Sequence, residues 1–423
     1  MRVRLTKPAL LWAVLAIFFG DNALAQGKLT LEECRAKAKA NYIILNKQGL
    51  WEEHEAKTLE VLKAGQLPLL LAHAEAKYVS DVPRPDTDFP GFPKLPKDQY
   101  QFFLSANQLI YQGGYIKKMK ANASLSTQVE LDQLELDWYK YEQRVDVFFF
   151  NIFLLEEVSE SMNLARISLN ERLREAQAGV ELGAVLPYQT DYLKAEMLKI
   201  DQEEIGVEKQ RQTLLESLSI IMGEEISSVD RLLISEPKLA EIDNVTRPEL
   251  RLIESKKTAL LAQNDVLKSQ RLPKVEAFGV TGYGQPGYNF FNPNFDFYYQ
   301  VGAKVSWNVF DWNRTKNQMR INEVKAKMGD EDRDQFLRNL KVTVTKQENE
   351  IEEYRRQLAK DEEELILREN IRNGEASRFD NGVISGADYV KAVNEEKNTR
   401  VRMRKRRIQI IQAQYGLNTL LGQ

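Results

Sequence analysis

The chain has 423 residues, 29% of them charged, with a formal net charge of −3 and a single cysteine. The slightly acidic balance gives no basis for nucleic-acid binding, and one cysteine excludes an internal disulfide. Apart from a short N-terminal run, no apolar segment approaches the roughly 20 residues a spanning helix needs, so any membrane crossing must be made by strands.

Arg2, Arg4 and Lys7 precede an apolar run from Leu10 to Phe19, and Ala23-Leu24-Ala25 follows as a small-residue cleavage signal. The pattern predicts a signal peptide, residues 1–25, cut between Ala25 and Gln26. Its loss removes Arg2, Arg4, Lys7 and Asp21 and leaves the mature chain at about −5. Gln26, not cysteine, follows the cut, which gives no sign of a lipid-modified terminus. In an exported chain, Cys34 reads as a small buried hydrophobe in the first helix.

The mature chain reads as two repeats. Lys63–Pro68 recurs as Lys268–Pro273, Leu104–Gly114 as Val305–Asn313, and Asp191–Ala195 as Asp388–Ala392, each about 200 residues on. The first repeat, 26–222, opens with a helix over Leu31–Ala64. Thr30 is its N-cap, with Glu33 completing a capping box, and Leu67-Pro68 breaks it. Strands are predicted over 67–80 and 99–111, separated by a loop, residues 81–98, with five prolines. Gly113-Gly114 leads into a helix over 115–182, roughly 100 Å long. The turn Gly183-Ala184-Val185-Leu186-Pro187 reverses it into a return helix over 190–222. A mixed linker, 223–246, joins the halves.

The second repeat, 247–423, has a helix over 249–270 after Arg247-Pro248 and strands over 273–283 and 296–310. Phe297 to Phe310 alternates strictly: Phe297, Tyr299, Val301, Ala303, Val305, Trp307 and Val309 fall on one face. Tyr298, Gln300, Gly302, Lys304, Ser306, Asn308 and Phe310 fall on the other. Aromatics near its ends fit a strand anchored at two membrane interfaces, and Tyr288, Phe290 and Phe291 of the preceding loop fit the same girdle. A second long helix over 314–380, a turn at Asn381–Gly386 and a return helix over 387–421 complete the pattern. Arg400, Arg402, Arg404, Lys405, Arg406 and Arg407 are expected to pair with acidic neighbours such as Glu362–Glu364.

Four strands cannot close a barrel, since small closed barrels have about eight. An open sheet in lipid leaves unpaired backbone groups at several kcal/mol each, so these strands require further copies of the chain. The predicted class is mainly α with membrane β: long antiparallel helical hairpins plus four strands per chain.

At this point the sequence resembles the TolC-type outer-membrane efflux channels over about residues 28–422. The resemblance rests on Leu31-Glu32-Glu33, on Leu67-Pro68 and Leu272-Pro273 before strands, and on Arg247-Pro248-Glu249-Leu250 opening the second half. It also rests on Val305–Asp311 leading into the long helix and on the Gly382 turn with Asp388. The resemblance implies a homotrimer with a twelve-stranded barrel in the outer membrane and a helical tunnel through the periplasm. It implies a passive exit duct of a tripartite efflux or type I secretion system. The partners so implied are outer-membrane lipid, a periplasmic adaptor and an inner-membrane pump of the RND, ABC or MFS type. The linker 223–246 would belong to an equatorial belt.

The same resemblance makes Gly183, Ala184, Val185, Gly382, Val383 and Ile384 adaptor-docking tips, although the glycines also serve simply to make the turns. It places Asp191 and Asp388 around the periplasmic aperture with Phe379 and Lys391; an Asp near a helix start equally serves the helix dipole. Where relatives have a Tyr, an Arg and a second Asp, this chain has Phe379, Ile384 and Lys391. The aperture would then be held by an Asp388–Lys391 pair or by apolar packing. His54 and His73 lack neighbours at ligand spacing, so no metal or other cofactor is expected, and no catalytic constellation marks an enzyme. The alternative reading is a periplasmic coiled-coil scaffold without a pore, which leaves the alternating strands unexplained.

Overall fold

The computed structural model describes residues 28–83, 93–241, 245–289 and 291–423. The cleavage residues Ala25 and Gln26, and Phe290, lie outside them. The chain divides into two compact units, each drawing on both sequence repeats. One comprises residues through Tyr42, Tyr141–Ala240 and Lys346–Thr419; the other comprises Ile43–Lys140, Glu241–Thr345 and Leu420–Gln423.

Helix α1, Leu31–Asn41, begins at the predicted capping box: the Thr30 backbone N–H donates to Glu33 Oε2 at 2.8 Å, and the Glu33 N–H to Thr30 Oγ1 at 3.3 Å. Cys34 is fully buried in it, and burial pushes its thiol up to about 12. The predicted single helix over Leu31–Ala64 is interrupted. Tyr42 is extended and stacks on Tyr141 at 4.5 Å, and Ile43–Asn46 forms a 3-10 turn before α2, Lys47–Ala64. Two consecutive β-branched isoleucines lower helix propensity at that point, and the ring stack fixes the break.

The sheet belongs to the second unit. Its strands are β1, Leu69–Tyr78, β2, Asp98–Gln112, β3, Lys274–Gln285, and β4, Asp296–Ser306, in the order β1-β2-β3-β4 with every pair antiparallel. The expected fourth strand is shortened from 296–310 to 296–306. Its last residue pairs with Lys274, the first residue of β3, so Trp307 onward has no ladder partner. Eleven residues span roughly 36 Å, enough for a tilted membrane strand.

Two helices of 67 residues, α3, Tyr115–Glu181, and α6, Arg314–Asp380, return through α4, Pro187–Met222, and α7, Gly386–Leu421. Helix α5, Pro248–Gln270, starts the second repeat. In the second unit, Leu136 and Tyr139 of α3 pack on Leu252 of α5. Arg247, mostly buried before α5, clamps Glu249 through two bonds of 2.9 and 2.6 Å and donates to Tyr139 Oη at 2.8 Å and to the Leu420 carbonyl at 3.3 Å.

In the first unit, Leu169, Leu193, Ile200, Phe379, Tyr389 and Val393 join α3, α4, α6 and α7 in one apolar core. Beside it the basic run of α7 meets acids of α6. The buried Asp361 accepts from Arg402 Nε at 3.1 Å and Arg406 Nε at 2.6 Å, and Arg407 pairs with Glu362 at 2.7 Å.

Candidate channel-forming site

The ladder registers sort the strand residues into two faces. On one, Ala72, Leu104, Thr281 and Tyr299 form a cross-strand row, as do Leu70, Ala106, Gly279 and Val301, and Ala74, Phe102, Tyr283 and Phe297. On the other, the rows are His73, Phe103, Gly282 and Tyr298, then Glu75, Gln101, Gly284 and Asp296, then Leu71, Ser105, Val280 and Gln300. Alternation in four strands therefore adds up to one apolar face and one largely polar face. A soluble sheet buries its apolar face. Here Tyr299 is 74% exposed and Val301 77%, and β1 is exposed along its whole length. Within one chain, β1 and β4 each have a single strand partner. The apolar face is therefore uncovered and both edge strands keep unpaired backbone groups.

The two helical turns are built alike, as the repeat predicts. Gly183 (φ 72°) and Gly382 (φ 70°) take the left-handed conformation that favours glycine. The N–H groups of Ala184 and Val383 reach back to the carbonyls of Gly179 and Arg378 at 2.8 and 2.9 Å. Gly183, Ala184, Gly382 and Val383 are exposed, whereas Ile384 packs against the hairpin core and Val185 lies over Gly179. Leu182 is 85% exposed and Leu186 59%, with Tyr188 and Tyr192 stacked edge-to-face nearby. The residues singled out at the turns from the sequence did not include these four, yet apolar side chains in and beside a solvent turn were the available signal. Helix α7 begins against α4: a Cβ on Gly386 would lie 2.8 Å from the Gln189 carbonyl oxygen.

The expected aperture residues do not share one environment. Asp191 and Lys391 are exposed. Phe379, expected at the aperture, lies in the core of the first unit. It is 3% exposed and stacks on Tyr389 at 5.8 Å, because an aromatic at the end of α6 gains more by burial against α7 than by facing water. Asp388 is a helix cap. Its Oδ2 accepts from the Ser385 N–H at 3.1 Å and from Ser385 Oγ at 2.6 Å, and its own N–H donates to Ser385 Oγ at 3.2 Å. No Asp388–Lys391 ion pair occurs among the described residues. The Ser385 hydrogen bonds hold the Asp388 carboxyl below its ordinary 3.8.

A depressed carboxylate stabilises the fold above its unfolded pKa, and that contribution is lost as pH falls through the folded one. The first turn of α7 is therefore expected to fray as pH drops below 3.8, read as lower amide protection factors at 386–390, with intrinsic exchange divided out. Asp388→Asn should abolish that loss of protection; protection factors that still fall over the same pH range in the variant would refute the cap's role.

The apolar packing at this end involves charge that sequence reading missed. Arg172 of α3 meets Asp380 of α6 at 2.8 Å and also pairs with Glu175. Burial raises the Asp380 carboxyl, Arg172 opposes that rise and Glu175 adds to it.

The chain thus combines paired 67-residue helices with a four-stranded sheet whose apolar face is exposed and whose two edges are open. Residues 244–423 match the family model described as outer membrane efflux protein. Over 93% of its length the chain shares its fold with solved outer-membrane proteins. It aligns with the CmeC channel of Campylobacter jejuni over 93% of this chain and 85% of that chain, at 15% identity and a TM-score of 0.65. It aligns with VceC of Vibrio cholerae over 93% and 96%, at 15% identity and a TM-score of 0.65. With the open state of the Neisseria gonorrhoeae MtrE channel the figures are 93% and 88%, 14% identity and a TM-score of 0.66. No curated protein matches the chain at a significant level. Among the described residues no helix is long and apolar enough to cross a membrane, and no group of three or more His, Cys, Asp or Glu is placed to hold a metal ion.

Proposed function

We propose that the chain is the outer-membrane exit duct of a tripartite efflux or type I secretion system. Three copies join their sheets edge to edge into a twelve-stranded barrel, β4 of one copy pairing with β1 of the next. Twelve strands begin to leave an aqueous lumen, which the polar face lines while the apolar face meets lipid. The helical hairpins form the periplasmic tunnel. The exposed turns around Gly183 and Gly382 dock on a periplasmic adaptor that leads to an inner-membrane pump, and transport through the duct is passive. The observation that carries this reading is the sheet, exposed on an apolar face and open at two edges. A pore-free scaffold has no use for either feature.

The purified mature chain in detergent is expected to run as a trimer and to conduct ions steadily in planar bilayers. Carbonate washing of membranes should leave it in the pellet. A monomer released by carbonate, with no conductance, would remove the proposal.

A further inference from the structure

One cross-strand row on the polar face is aromatic, where solvated barrel interiors are polar. His73 stacks on Phe103 with ring centroids 4.7 Å apart and planes 18° from parallel. Phe103 and Tyr298 flank Gly282, and the glycine lets the Tyr298 ring lie across the strand between them. A Cβ on Gly282 would sit 2.7 Å from Phe103 Cβ and 2.7 Å from Tyr298 Cζ and Oη. Tyr288 continues the row, 4.5 Å from Tyr298, and is fixed by its hydroxyl donating to Gln300 Oε1 at 2.7 Å. The rings thus make a ledge across all four strands on the side away from the apolar face. Such a ledge offers flat π surface to whatever passes over it.

The charge beside the ledge selects the kind of solute. Glu75 is neutralised by Lys77 at 3.2 Å, and Glu276 faces Lys304 across the ladder. Asp296, two residues from Tyr298 on the same face and thus about 7 Å along the strand, has no ion pair among the described residues. It accepts only from the Asn292 side chain at 3.3 Å and the Phe297 N–H at 2.9 Å. A ring face is itself negative at its centre and attracts cations.

We infer that the His73–Phe103–Tyr298–Tyr288 row, with Asp296 beside it, is a stacking station for planar aromatic cations moving through the barrel. The inference rests on the channel reading: the copies would repeat the ledge around the lumen, where it acts on solute selectivity. It assigns Tyr298 and Phe103 to stacking, Asp296 to charge and Gly282 to making room.

The test uses the mature channel in planar bilayers, with ethidium as a planar cation and tetrapropylammonium as a non-planar cation of equal charge. Ethidium is expected to reduce the current at lower concentration than tetrapropylammonium. Tyr298→Ala and Phe103→Leu should each raise the half-blocking ethidium concentration about tenfold, the loss of one stacked ring. Both should weaken tetrapropylammonium block far less, since that cation keeps only the cation–π part of the contact, and Tyr298→Phe should retain ethidium block. Asp296→Asn should weaken both cations. If Tyr298→Ala fails to form channels, Phe103→Leu carries the same reading. Equal block by the two cations, or ethidium block indifferent to the ring variants in a conducting channel, overturns the station alone. A wild-type chain without conductance overturns the channel reading and the station with it.

Discussion

Arg247→Ala is expected to lower the stability of the sheet-bearing unit by about 3 kcal/mol, among the largest effects of any single side chain in it. The guanidinium is mostly buried, and every face of it is used. Two parallel bonds hold Glu249, a third goes to Tyr139 Oη, a fourth to the Leu420 carbonyl, and the plane lies 4.7 Å from the centroid of the Tyr139 ring and 5.5 Å from that of Phe336. Truncation strands a half-buried carboxylate, strips the ring contacts and opens a void. Removing one partner of such a pair costs far more than an exposed pair is worth. Glu249→Gln alone should cost less, because a neutral amide still accepts from the guanidinium. Together the two changes should cost less than their sum. Thermal melts of the detergent-solubilised protein followed at 222 nm test this; a single Arg247→Ala variant melting with the wild type would refute it.

Arg247 also shows where sequence reading reaches its limit. The segment Arg247-Pro248-Glu249 is visible as a helix start, since proline fits the first turn. That its arginine binds Tyr139 of a helix over 100 residues earlier is a tertiary fact without local signal. The same division runs through the sheet. A period of two places Tyr298 and His73 on the polar faces of their own strands. Their membership of one row depends on register across β2 and β3, which only the folded ladders set. Strand ends are lost for the same reason: the run to Phe310 keeps alternating, but β3 has no residue left to pair beyond Lys274. The helical turns fared differently because Gly183 and Gly382 impose a backbone conformation that composition alone reveals. For Phe379, position relative to a turn says which helix it ends and not which side of that helix it faces, so its burial against Tyr389 has no local signal.

The stack of Phe379 on Tyr389 yields the second large effect. Tyr389 is 1% exposed, sits one turn into α7, and packs in a core with Leu169, Leu193 and Ala376. Tyr389→Ala removes a ring from a site whose neighbours come from four helices, so collapse cannot fill it. Replacing a buried aromatic by alanine typically costs about 3–5 kcal/mol. The loss falls on the ends of the hairpins, where the cap at Ser385 and the pair of Arg172 with Asp380 supply the other fastenings. Amides over 376–393 are therefore expected to exchange about 100-fold faster in Tyr389→Ala, with the sheet amides unchanged, because opening is local. Tyr389→Phe keeps the stack and loses only the hydroxyl, so its exchange should stay within about tenfold of wild type. If Tyr389→Phe opens the turns as widely as Tyr389→Ala, polar contacts of the hydroxyl hold them closed and the ring packing does not.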